Sequence, residues 1–130
     1  MPTPISSQPA PIDIDTMPAG REMDALVAER VMKLTVDYEF EILRVPALAD
    51  KYDEWGYLPN YSTDIAAAWD IVKELQGRGY WIVLYDYHII PSSPPYQFCF
   101  SKDGNTYARS GETVEISICR AALKAMSVRQ

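Results

Sequence analysis

Two helical segments, Tyr61–Trp69 and Ile116–Met126, bracket a stretch dense in tyrosine, tryptophan and phenylalanine. Each carries apolar residues at the three- and four-residue spacing of a helix, with a run of small side chains. Between them the residues alternate apolar and polar, the pattern of strands with one buried face. A chain written this way is constrained to lay helices with small contact residues against an antiparallel sheet.

The rest of the chain extends that reading. A first helix is expected from Arg21 to Met32, with Gly20 as N-cap and Glu22 and Asp24 at the positive end of its dipole. Met23, Leu26, Val27 and Val31 form its apolar stripe, and Arg30 falls beside them. Leu34–Val45 reads as a strand in which Val36, Tyr38, Phe40 and Ile42 alternate with Asp37, Glu39 and Glu41, ended by Pro46. A short helical turn near Leu48–Tyr52 and a loop through Gly56 and Pro59 follow. The second helix is expected over Ser62–Gln76, capped by Ser62 or Thr63 and stopped by Gly77 and Gly79. Trp69, at the flank of its apolar face, reads as core. Strands then follow at Tyr80–Ile90, Tyr96–Ser101 and Thr106–Arg109. Pro91–Pro95 joins the first two, and the turn Lys102-Asp-Gly-Asn105 makes the last two a hairpin. A third helix is expected over Thr113–Ser127, with Ser117, Arg120 and Lys124 on its polar face. The fold class is therefore α/β of the α+β type: a largely antiparallel sheet of about four strands packed with three helices. Residues 1–19, with five of the ten prolines, form a tail; residues 20–130 make one domain.

Charge and motif content exclude more than they assign. A net charge of −6 disfavours binding to DNA or RNA, which draws on many cationic phosphate contacts. A few arginines in a pocket still suffice for a small anionic ligand. No apolar run approaches the roughly 20 residues that span a bilayer, and the start lacks the basic and apolar regions of a signal peptide. A cytosolic protein with Cys99 and Cys119 reduced is the expectation. Two cysteines and one histidine make no metal pattern, and the glycines at Gly77 and Gly79 follow a helix rather than a strand, so they are not a phosphate loop. His88, in an alternating strand, reads as structural or exposed. No catalytic residue, metal or cofactor is assigned, and the chain is not expected to be an enzyme.

Binding candidates come from isolated arginines and surplus aromatics. Arg109 ends a strand just before the last helix, where free N–H groups and a guanidinium suit a phosphate; pairing with Glu112 or Glu115 is the plainer alternative. Arg30 either snorkels over the core or meets a ligand, and Arg120 is either a solvated helix residue or a third phosphate contact. Trp81, Phe98 and Phe100 alternate along strands with Tyr85, Tyr87 and Tyr96. One face of that sheet packs under helices; an open one would stack on bases or meet a second subunit.

Three segments carry a resemblance: Met23-Asp-Ala-Leu-Val-Ala-Glu-Arg-Val-Met32, Tyr61-Ser-Thr-Asp-Ile-Ala-Ala-Ala-Trp69 and Ile118-Cys-Arg-Ala-Ala-Leu-Lys-Ala125. In this order they resemble the phage ABA-sandwich domain family, over most of residues 20–127; the proline-rich tail and residues 37–56 depart from its pattern. The chain also resembles the first class of Thoeris anti-defence proteins. That resemblance implies a non-enzymatic sponge in the cytoplasm of an infected bacterial host. It would bind a cyclic ADP-ribose isomer or a cyclic oligonucleotide and assemble as a homodimer or higher homo-oligomer. Arg30, Arg109 and Arg120 are the candidates for the phosphates, and Trp81, Phe98 and Phe100 for the adenine. The alternative is an accessory interaction module with no small ligand.

Overall fold

The computed structural model describes residues 13–38, 43–49, 55–88 and 94–127. Its elements run in the order α1 (Arg21–Leu26), a π-helical turn (Val27–Val31), α2 (Ile65–Gly77), β1 (Trp81–Asp86), β2 (Tyr96–Lys102), β3 (Asn105–Gly111) and α3 (Val114–Ser127). The α+β class holds: three helices and an antiparallel three-stranded sheet in the order β1-β2-β3.

The first helix begins after Gly20, as its sequence suggests, but widens over its last turn. The Met32 amide reaches back to the Val27 carbonyl at 3.0 Å, and the Leu34 amide to the Ala28 carbonyl at 2.8 Å. Val27, Ala28 and Val31 are fully buried there, whereas Arg30 faces solvent. An extra residue in a turn shifts side-chain register, which takes Arg30 off the apolar stripe.

The second helix starts later than Ser62. The Ser62 hydroxyl is drawn to Asp24 (2.7 Å), so the cap falls to Asp64, whose carboxylate accepts from the Ala66 amide at 3.0 Å. Ala68, Ile71, Val72 and Leu75 face the core, while Trp69 is 40% exposed. Trp69 is thus a surface residue rather than core: it stands at the edge of the apolar arc, where the helix turns toward water.

The expected fourth strand is not formed among the described residues. Asp37 bridges Arg44, and Arg44 bridges Tyr57, as isolated pairs. The backbone groups of this segment are taken by local fold-back: the Val45 amide donates to Gly56 O at 2.6 Å, and the Leu58 amide to Leu43 O at 3.1 Å. Alternation records two chemically different faces; it does not supply a neighbouring strand. Residues 39–42, 50–54 and 89–93, which include parts of the expected strands, helical turn and connecting loop, lie outside the described residues. A 3₁₀ turn at Pro46–Leu48 is the helical piece described in the ambiguous region.

The fold-back makes Gly56 the most crowded of the described glycines. Its φ is +68°, and a Cβ there would lie 2.7 Å from the Val45 carbonyl oxygen. Both the conformation and the backbone clash oppose any side chain, so Gly56→Ala is expected to cost about 2–3 kcal/mol in a urea unfolding series.

Register decides which sheet face is covered. Directly paired residues share a face: Leu84, Phe98 and Arg109 make one row, and Ile82, Phe100 and Tyr107 the next. Phe98, Phe100 and Tyr107 of this face join the core under α3, together with Ile118, Ala121, Ala122 and Ala125. The small residues of α3 allow the helix to approach the sheet closely. Gly111 completes that approach, since a Cβ on it would meet Ser117 Oγ at 2.9 Å. Ser117 is accordingly fully buried rather than on a polar face, and its hydroxyl bonds to the Thr113 carbonyl at 2.9 Å. The hairpin turn has positive φ at both Asp103 and Gly104, the pattern that suits a two-residue connection of twisted strands.

Candidate functional site

A cleft forms where α3, β3 and the π-helical turn meet, closed on one side by the chain at Asp13–Asp15. Its volume is about 320 Å³. Arg30, Arg109, Lys124, Ser127, Asp13 and Asp15 supply its polar wall. Each cation has a structural reason to be there. Arg109 lies on the helix-facing side of the edge strand β3, beyond the cover of the core. Lys124 lies near the C-terminal end of α3, and Arg30 is turned outward by the widened turn. Arg109 Nε bonds Asp15 Oδ1 at 2.8 Å, and Arg109 Nη1 donates to the Ala108 carbonyl at 2.7 Å. Arg30 and Lys124 have no ion pair among the described residues, so the cleft keeps excess positive charge on an acidic protein. Such a site can grip phosphate oxygens by charge-assisted hydrogen bonds.

The other sequence candidates separate from this cleft. Arg120 does not line it. Its guanidinium donates to the Ser110 carbonyl and the Met17 carbonyl, both at 3.0 Å, and thereby fastens the chain before α1 to β3. Phe98 and Phe100 are 0% exposed and sit 5.0 Å apart, ring centre to ring centre, in the core. They are not available to stack on a base, because the face they share is the one that α3 covers. Trp81, by contrast, is 72% exposed, but its pairing with Ser101 places it on the opposite face and toward the other end of the sheet. His88 is exposed, bonded to the Asp86 carboxylate and edge-on to the Tyr96 ring.

That opposite face carries no charge on any of its nine strand positions: Trp81, Val83 and Tyr85, then Gln97, Cys99 and Ser101, then Thr106, Ala108 and Ser110. Trp81, Val83 and Tyr85 are large and exposed, with Tyr87 stacked on Tyr85 at 5.8 Å. Cys99, in the middle strand, is buried and has its thiol pushed up by desolvation. Cys119, on the buried side of α3, is fully enclosed, and burial first, then Asp24 and Glu115, push its thiol far up. Both cysteines are free and buried.

Two features escaped sequence reasoning. Lys124 and Asp15 belong to the cleft, but nothing local marks them; only the packing of α3 on β3 and the long-range docking of the 13–17 turn bring them to Arg109. A second, larger groove of about 800 Å³ runs between the 57–60 loop and α2, walled by Tyr57, Pro59, Ile65 and Trp69. Here the signal was present: Ile65 and Trp69 are four residues apart, a stripe of their own displaced from Ala68, Ile71 and Val72.

The profile of the phage ABA sandwich domain family matches residues 25–123. The fold is similar to the crystal structure of a phage protein from Bacillus cereus ATCC 14579, with a TM-score of 0.62 and 19% identity over 91% of this chain and 96% of that one. No curated protein matches the chain.

Proposed function

The chain belongs to the phage ABA sandwich domain family, and on that fold we propose a sponge: a phage-encoded anti-defence protein that binds a cyclic nucleotide immune signal, a cyclic ADP-ribose isomer, and holds it without cleaving it. The observation that carries the proposal is the convergence of Arg30, Arg109 and Lys124, from three separate elements, on one cleft. Two of the three, Arg30 and Arg109, are among the arginines singled out for phosphate contact, whereas the third such arginine, Arg120, is outside the cleft. The cleft is small, at the lower end of ligand-pocket volumes, and fits the phosphates rather than the whole nucleotide. With Phe98 and Phe100 in the core and Trp81 on the far face, the base is left to a second copy of the chain, which is why the functional unit is proposed to be a homo-oligomer. Holding without turnover is supported by two thiols that are buried and kept protonated, and by a histidine tied to Asp86 away from the cleft. The setting is the cytoplasm of the infected host, where such signals are made.

The test is retention. The protein is incubated with cyclic ADP-ribose isomers at micromolar concentration, separated from free ligand and heated. Intact nucleotide released by denaturation is the expected result; no retained nucleotide overturns the proposal, and a cleaved product overturns the sponge in favour of an enzyme. Arg109→Gln removes the charge and the guanidinium fork and leaves a shorter, neutral polar side chain. It is expected to weaken binding about 10- to 100-fold, the worth of a charge-assisted pair, with unchanged circular dichroism.

A second reading, a protein-interaction module with no small ligand, is favoured by the uncharged open face of the sheet. Faces of this kind meet partners rather than water. Nucleotide retention decides between the two.

A further inference from the structure

We propose that Asp15 is the resident anion of the cationic cleft, an autoinhibitory partner that holds Arg109 until an incoming phosphate displaces it. The inference rests on the reading of the cleft as a phosphate site. Residues 13–17 form a turn in which the Thr16 and Met17 amides donate to the Asp13 carbonyl, at 3.3 and 3.1 Å. The Asp13 carboxylate is engaged within that turn, accepting from the Asp15 amide at 3.1 Å. Asp13 also lines the cleft, but Asp15 is the carboxylate that pairs with Arg109, 2.8 Å from its Nε. The downstream end of the turn is fixed independently: Met17 is buried, and its carbonyl is held by Arg120. The two arginines therefore do different work. Arg120 grips backbone, which no ligand replaces. Arg109 grips a charge, which a ligand can replace without unfastening the turn.

The exchange is easy from the protein's side, because the Asp15 side chain is 56% exposed and swings into water with little desolvation. A ligand must still outcompete a tethered carboxylate whose effective concentration is high. An incoming phosphate replaces Asp15 on Arg109 and has Arg30 and Lys124 beside it as well, which Asp15 does not pair with. If the Asp15–Arg109 pair is made about nine-tenths of the time, it reduces apparent affinity about tenfold.

The probes are cyclic ADP-ribose, whose two phosphates are adjacent, and cyclic di-AMP, whose phosphates are separated, titrated calorimetrically into the full chain. Asp15→Asn, nearly isosteric, is expected to tighten the binding of either probe about tenfold, because both must displace the same carboxylate, and to leave the circular dichroism unchanged. Wild type that binds while Asp15→Asn binds no tighter overturns the inference and makes Asp15 a staple of the turn. Folded proteins that bind neither probe overturn the cleft as a phosphate site, and the inference with it.

Discussion

Asp24→Ala is expected to lower the free energy of unfolding by about 3 kcal/mol, read from urea denaturation followed by circular dichroism. Asp24 is 1% exposed, and its carboxylate accepts from the Ser62 amide at 2.8 Å, the Ser62 hydroxyl at 2.7 Å and Arg21 Nη1 at 3.0 Å. Arg21 in turn reaches the Leu58 carbonyl at 2.8 Å and bonds the Asn60 side chain. One carboxylate thus ties the start of α1 to the start of α2 and to the loop before it. Alanine leaves a buried amide without its acceptor and frees Arg21 to solvent. The Arg21 end of the pair is 43% exposed, so most of the loss arises at Ser62 rather than from the ion pair. Arg21→Gln is therefore expected to cost less than Asp24→Ala; the reverse order, or a loss under about 1 kcal/mol for Asp24→Ala, would refute this division.

Asp24 also shows where a sequence stops being legible. At the first turn of a helix an aspartate is already explained by the dipole, so nothing signals that it reaches across to Ser62, 38 residues away. The cap of α2 was misplaced for the same reason: Ser62 and Asp64 are both good caps, and only the tertiary claim of Asp24 on Ser62 hands the role to Asp64. Helix positions and the β2–β3 hairpin were legible because they follow from local periodicity and a turn whose residues tolerate positive φ. The cleft was half legible. Arg30 and Arg109 stand out as cations in apolar surroundings, whereas Lys124 and Asp15 look like ordinary surface charges until the chain is folded. The face of the sheet was not legible at all. Alternation says that Phe98 and Phe100 point one way and Cys99 the other, and only the docking of α3 decides which way is in.

That last ambiguity gives the other large expected effect. Phe98→Ala is expected to destabilise the domain by about 3–5 kcal/mol, because the side chain is completely enclosed and its removal leaves a cavity beside Phe100, whose ring packs edge-on against Tyr80 at 6.3 Å. A base-stacking role would give the opposite signature: lost nucleotide binding with stability nearly kept. The two are separable even though Phe98 shares its sheet row with Arg109. Measured at a temperature where the variant remains folded, nucleotide affinity should stay within roughly threefold of wild type, since the cleft's charges remain in place and threefold is under 1 kcal/mol. Affinity that collapses while the unfolding midpoint barely moves would return Phe98 to the ligand and contradict the face assignment. Trp81→Ala is the matched control, because a side chain 72% exposed on the uncovered face has little burial to lose.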